Sequence, residues 1–375
     1  MTSTPAETPT PPGRPFWTRL ADVASLVATP LHPSHYLALV NPLWTTHTLQ
    51  ARVERVWDET ADTRTLTLRP GRGWRGHRAG QFVRVGLAID GMRHTRTYSI
   101  SSSPDARDGC IEITVRAAPD GRVSRVLVRS FRPGAYLTLS PADGTFVLPD
   151  AVPVRPLFVT AGSGITPVMS MLRTFALRGE MPDVVHVHYA PHARDVIFGR
   201  ELQRLAEAHP RYRLHVVHTR EDADAPAGHR HFTAAQLRVF CPDWRDREVW
   251  ACGPRPLLDA LDANWTAAGL GRRLHVERFH APLAPLPADA SGGTVRFAAS
   301  GREVVADGRM PILRVAEDAG LNPPHGCRMG ICHTCDATLR AGCVRDLRTG
   351  ALVADPGRKV SICVSAAAGD VTLDL

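Results

Sequence analysis

The stretch Cys327-Arg328-Met329-Gly330-Ile331-Cys332-His333-Thr334-Cys335 puts three cysteines on one loop. A fourth, Cys363, lies near the C-terminus in a segment, 360–364, that reads as a strand. C-x4-C-x2-C with a distant fourth cysteine is the plant-type spacing for four thiolates around a [2Fe–2S] cluster. Thiolates are the soft ligands such clusters select. Three on one loop wrap the cluster, and the fourth closes the cage. Gly326 and Gly330 stand where the loop must turn sharply and bring backbone N–H groups towards the sulfurs. Structural zinc and plain packing are the competing readings. Zinc sites usually repeat a short cysteine pair, and here the second pair is missing.

Outward from the loop, strands are expected at 294–297 and 303–306, a helix around 312–320, a strand at 335–339 and a closing strand at 371–375. This order resembles the plant-type ferredoxin domain. The resemblance implies a β-grasp fold over residues 294–375, with Cys327, Cys332, Cys335 and Cys363 as the iron ligands. Residues 281–293, APLAPLPADASGG, have the composition of a tether, semi-extended where proline-rich and flexible at the Ser-Gly-Gly end. A one-electron carrier at the end of a chain needs a source upstream.

A length of 375 residues suits two to three domains, and 43% apolar content is ordinary for a soluble protein. The formal charge of +8 comes almost wholly from arginine, since Lys359 is the single lysine. The basic excess permits a weak attraction to acidic partners or anionic lipid heads. No nucleic-acid motif is present. Apart from the four clustered ones, Cys110, Cys241, Cys252 and Cys343 are scattered with no disulfide framework, which fits a reducing cytoplasm. No signal-peptide core and no stretch of ~18 apolar residues is found.

Residues 51–149 show short alternating strands broken by Gly and Pro, at 49–56, 63–68, 82–87, 111–115 and 136–139, as in a β-barrel. Within them, Arg96-Thr97-Tyr98-Ser99-Ile100-Ser101 resembles the flavin strand, R-x-Y-S/T, of the ferredoxin–NADP reductase superfamily. The resemblance implies that Arg96 pairs with the flavin phosphates and that Tyr98 stacks on the isoalloxazine. Thr97 shares the binding strand. Ser99 hydrogen-bonds near the N5 edge, which makes it a catalytic candidate. Gly121-Arg122-Val123-Ser124 opens a helix whose first N–H groups favour a pyrophosphate. By the same resemblance Gly121, Val123 and Ser124 hold the dinucleotide phosphates of FAD, in preference to FMN, and Val115, Arg116 and Ala117 line the adenine side.

Residues 150–280 alternate strands and helices, which implies an α/β domain with a parallel sheet and nucleotide at the strand carboxyl ends. A strand at 156–160 leads into Gly162-Ser163-Gly164-Ile165-Thr166-Pro167 and then a helix over 168–177. The glycines let the backbone approach a pyrophosphate at a helix N-terminus. Proline at 167 departs from the usual Rossmann fingerprint but matches the ferredoxin-reductase version, G-x-G-x-x-P. Cys252-Gly253-Pro254 is the matching piece. In the family it sits beside the nicotinamide, with Cys252 near the hydride path; the competing reading of Cys252 is a buried small thiol. The stretch ending at Phe279 matches where the family closes this domain against the flavin. Arg220, after the third strand, is placed to meet a ribose 2′-phosphate, although Glu221, Asp222 and Asp224 follow it. NADPH is favoured over NADH.

Residues 1–50 read as an extension, a disordered tail followed by a helical arm with apolar residues at Phe16, Leu20, Val23, Leu26 and Val27. The arm either packs on the body or, over residues 16–44 with Trp17 and Trp44 as anchors, associates peripherally with the inner face of a membrane. The order of domains resembles the reductase components of bacterial oxygenases and hydroxylases. The run Tyr36-Leu-Ala-Leu-Val-Asn-Pro-Leu-Trp44 resembles actinobacterial reductases that feed membrane fatty-acyl desaturases. The resemblance implies a multidomain electron-transfer reductase using NADPH, FAD and a [2Fe–2S] cluster, with a di-iron desaturase as acceptor protein. A soluble oxygenase or a P450 is the alternative acceptor. A redox-sensing module is the alternative from another class.

Overall fold

The computed structural model describes residues 40–45, 48–119, 121–220, 230–279, 284, 286–287, 290–326, 328–330 and 333–375. Three sheets follow one another along the chain. The helical arm expected over 16–39 lies outside the described residues.

The first sheet is antiparallel and six-stranded: β1 Gln50–Thr60, β2 Thr63–Pro70, β3 Phe82–Ile89, β4 Met92–Ser99, β5 Ile111–Arg116 and β6 Tyr136–Leu139, in the order β4-β3-β6-β1-β2-β5. Its outer strands come together through a bridge between Ile100 and Ile113, which curls the sheet into a barrel. The alternation seen in the sequence is the cause. Val83, Val85, Ile113 and Val115 point inward and are fully buried. Helix α1, Arg122–Arg129, closes one end with Val123 and Leu127. Upstream, a turn of 3-10 helix at Pro42–Trp44 is capped by Asn41, and Arg72 of the barrel lies over the Trp44 ring at 5.3 Å. Trp44, an anchor in the membrane reading of the arm, is engaged here by the body of the protein, as in the packing reading.

The second sheet is parallel, in the order β11-β10-β7-β8-β9: β7 Pro156–Ala161, β8 Val184–Ala190, β9 Tyr212–His218, β10 Glu248–Cys252 and β11 Leu274–Glu277. Helices α2 Ile165–Arg178, α3 Gly199–Ala208, α4 Ala234–Phe240 and α5 Arg255–Ala267 cover it. Both faces are apolar, so β7 and β8 read as continuous buried runs rather than alternating ones.

The third sheet has the order β13-β12-β17-β14-β15, with β16 paired to β14: β12 Gly293–Phe297, β13 Arg302–Ala306, β14 Asp336–Asp346, β15 Leu352–Val353, β16 Lys359–Ser361 and β17 Ser365–Asp374. Helix α6, Ile312–Asp318, packs Ile312, Leu313, Val315 and Ala316 on it. Mixed pairing around a crossing helix is the β-grasp arrangement expected. One local expectation fails. Cys363 lies in the turn between β16 and β17, not in a strand. Most of the expected tether lies outside the described residues; within it, Ala284 N–H donates to Leu347 O at 2.6 Å.

Candidate functional site

Strand β4 alternates. His94, Arg96 and Tyr98 share one face, and Thr97 and Ser99 the other. Arg96 is largely desolvated. Its Nη1 donates to Thr95 O at 2.8 Å and lies 3.4 Å from His325 Nε2 of the ferredoxin domain. Burial, and next the facing guanidinium of Arg328, push Arg96 down to about 10. Among the described residues no carboxylate pairs with this half-buried cation, which leaves it free to meet an anion. Burial likewise raises the Tyr98 hydroxyl. His94 Nε2 and Thr97 Oγ1 are buried with no hydrogen-bond partner.

At the start of α1, Ser124 Oγ donates to Gly121 O and accepts from Ala118 N–H. A Cβ on Gly121 would crowd that hydroxyl and the Ala118 methyl, so a larger residue there displaces the Ser124 hydrogen bonds. No side chain caps Gly121, so the first N–H groups of α1 have no side-chain acceptor. Val123 is buried in the barrel core, as is Val115. Of the trio expected on the adenine side, Arg116 and Ala117 keep exposed surface, with Arg116 Nε donating to Asp62 at 2.7 Å.

In the second sheet, the 3-10 turn Gly162–Gly164 joins β7 to α2. A Cβ on Gly164 would collide with the backbone carbonyl of Cys252. The two motifs read separately in the sequence therefore touch backbone to backbone. They do so between β7 and β10, where the strand order reverses, the ordinary place for a nucleotide in such sheets. Thr166 Oγ1 donates to Ser163 O at 3.0 Å, and Pro167 is buried as the third residue of α2. Pro254 precedes α5, and Phe279 packs against the core shared with α2. Cys252 has no exposed surface, and burial raises its thiol far above the usual range. Its sulfur lies in the apolar core that β7 and β10 share with α2. Beside it in register stands Glu277, held up to about 7 by burial. Arg220 is exposed just past β9; the three acidic residues after it lie outside the described residues.

Cys327 and Cys332 also lie outside the described residues. Cys335 and Cys363 are both buried, and their thiols are hydrogen-bonded, which draws Cys335 down to about 7. Arg328 and His333 take positive φ, 58° and 55°, in the loop between them and Gly326. Such backbone strain in non-glycine residues persists where the surrounding structure over-determines it. Cys343 sits within β14, its sulfur near Val344 O.

Comparison with known proteins agrees with these three units. Family models match residues 50–148 as an oxidoreductase FAD-binding domain, 158–262 as an oxidoreductase NAD-binding domain and 295–368 as a 2Fe-2S iron-sulfur cluster binding domain. The chain is 47% identical to an NADPH oxidoreductase of Mycobacterium tuberculosis over 96% of its own length and 93% of the relative's. It is 34% identical to the glycine betaine monooxygenase reductase subunit of Chromohalobacter salexigens, covering 80% of this chain and 87% of that one. Phthalate dioxygenase reductase shares the fold, with a TM-score of 0.63 at 23% identity over 88% of this chain and 98% of that one. The chain belongs to the flavin and iron–sulfur reductases of the ferredoxin–NADP reductase superfamily.

The reductase thus uses FAD, NAD(P)H and a [2Fe–2S] cluster, and its residues fit all three. The orphaned His94 and Thr97 atoms and the uncompensated Arg96 suit a phosphate-bearing flavin. The glycine loop suits a dinucleotide, and the buried thiols suit iron. What the sequence reading missed is how the reductase joins barrel to nucleotide sheet. Arg173 of α2 donates to Ser101 O at 2.9 Å, to Glu112 at 2.8 Å and to Glu201 at 2.7 Å. Ser170 Oγ donates to Ser102 O at 2.6 Å, and Thr174 pairs with Ser103 at 3.0 Å. The signal was present: Ser170, Arg173 and Thr174 form a polar patch on an otherwise apolar helix. The helix that follows the glycine loop is therefore also the one clamped to the flavin domain.

Proposed function

We propose that this reductase draws electrons from NADPH and passes them singly to a di-iron fatty-acyl desaturase. When bound, FAD supplies the step from paired to single electrons, accepting hydride and reducing the cluster. In this reading Arg96 neutralises a flavin phosphate, Tyr98 covers the ring and Ser99 orients its N5 edge. Gly162, Ser163, Gly164, Thr166 and Pro167 carry the nicotinamide dinucleotide to that edge, with Gly253 and Pro254 as the opposite wall. Cys252 packs behind that wall, and Glu277 beside it sets the local charge. Arg220 favours NADPH by meeting the 2′-phosphate. The tether at 281–293 lets the ferredoxin domain alternate between flavin and acceptor.

The observation that carries the acceptor assignment is the stretch 36–44, which resembles desaturase-feeding reductases and lies within a match spanning 96% of the chain. A second reading, a soluble oxygenase acceptor, is favoured by the monooxygenase reductase subunits among the relatives. Reconstitution separates them. The reductase is expected to support double-bond formation by desaturase-bearing membranes faster with NADPH than with NADH. Brisk cytochrome c reduction with no desaturation, alongside turnover of a soluble oxygenase component, would reject the desaturase.

A further inference from the structure

The seam between barrel and ferredoxin domain holds more positive charge than the protein itself neutralises. The barrel contributes Arg96, and α1 contributes Arg122, Arg125 and Arg129 at helical spacing. The ferredoxin domain contributes Arg314 on α6 and Arg328 in the cluster loop. Three carboxylates answer them: Glu317 pairs with Arg328 at 3.0 Å, Asp318 with Arg314 at 3.0 Å, and Asp90 with Arg122 at only 3.5 Å. Among the described residues no carboxylate pairs with Arg96, Arg125 or Arg129. Arg314, with Pro119, Arg122, Arg125 and Arg129, lines an open cleft of about 530 Å³ at the seam. An independent observation comes from His94. It is only 6% exposed, its Nε2 has no partner, and its charged neighbours are Arg96, Arg122, Glu317 and Arg328. Arg96 and Arg328 meet across His325 Nε2, 3.4 Å from one and 3.1 Å from the other, and the exposed Arg122, Arg125, Arg129 and Arg314 flank them, so an anion seated at the seam meets positive charge from both domains.

We propose that the diphosphate of FAD is that anion, gripped by Arg96, His94 and the N-terminus of α1 on one side and by Arg314 and Arg328 on the other, so that the ferredoxin domain completes the flavin site. The inference rests on the FAD assignment and adds a coupling to it. If the ferredoxin domain binds the flavin, the flavin must hold the ferredoxin domain by the same factor. A reductase without flavin then has a loosely docked cluster domain.

The test uses deflavinated full-length protein that keeps its cluster. FAD affinity is read by flavin fluorescence quenching for wild type, Arg314→Glu, Arg328→Gln and the control Arg302→Glu. Both seam variants are expected to bind FAD about tenfold more weakly, in keeping with a coupling of ordinary size, while the control matches wild type. FMN, lacking the second phosphate, is expected to respond less to Arg314→Glu. Removing FAD from wild type is expected to speed proteolytic cleavage of the 281–293 tether, and adding it back to slow it. Arg328 neighbours a cluster ligand, so cluster absorbance is followed. Arg314→Glu, on the surface of α6, decides the matter if Arg328→Gln loses iron. Unchanged FAD affinity in Arg314→Glu would overturn the clamp. So would a loss confined to NADP+ binding, which would assign the seam to the other dinucleotide. Wild-type apoprotein that bound FMN but not FAD would instead overturn the cofactor reading beneath it.

Discussion

At the scale of single residues, two side chains carry the clearest consequences. Gly164 touches the Cys252 carbonyl so closely that a methyl group has no room. Backbone on both sides cannot yield as a side-chain end would, so Gly164→Ala is expected to cost about 1–3 kcal/mol. It is also expected to raise KM for NADPH while flavin content stays at wild-type level, as followed by steady-state cytochrome c reduction and flavin absorbance. Glu277 is raised to about 7 by burial. The fold favours its protonated form. Its contribution is therefore present in full below the ordinary carboxylate range and lost as pH rises through about 7. Melting temperature is expected to fall between pH 5 and 8 more steeply in wild type than in Glu277→Gln. Parallel curves for the two proteins would show that Glu277 does not titrate in that window.

At the scale of elements, the nucleotide sheet holds a polar chain inside an apolar layer. Thr160 Oγ1 on β7 lies 2.8 Å from His186 Nε2 and 2.8 Å from His188 Nδ1 on β8, and His186 Nδ1 lies 2.9 Å from the Tyr212 hydroxyl on β9. One hydroxyl donates to one ring and accepts from the other, which fixes tautomers across three strands. Burial keeps both rings neutral, with His188 driven down to about 3. Thr160→Val keeps the shape and strands two ring nitrogens. It is expected to destabilise the protein by about 1–3 kcal/mol, seen as a lower urea midpoint. These residues lie in the region where the sequence alternates strands and helices. Their partnership was not legible, because the pairing depends on the register of β7, β8 and β9 and no local pattern states a register.

At the scale of the whole molecule, Arg173 joins the barrel to the nucleotide sheet through one charge shared between Glu112 and Glu201. Its side chain is only 15% exposed, so removing it leaves two carboxylates facing each other with little solvent. Arg173→Met is expected to cost about 3 kcal/mol and to slow flavin reduction by NADPH roughly tenfold, with FAD and iron contents preserved. Stopped-flow absorbance at the flavin band is the measurement, and reduction at the wild-type rate would show that the bridge does not align the domains.

The sequence by itself determined the three units, their order and their cofactors. The motifs that mark each cofactor domain lie within short windows of chain, such as Arg96 to Ser99, Gly162 to Pro167 or Cys327 to Cys335, and local spacing is what a linear sequence records. Only the tertiary structure decided that Cys363 lies buried in a turn against Cys335, that Cys252 is buried behind the glycine loop and that Arg96 faces Arg328 across a domain seam. Those facts depend on burial and on charges brought together from distant parts of the chain. The energies involved arise only once water has been excluded between surfaces that the sequence lists far apart.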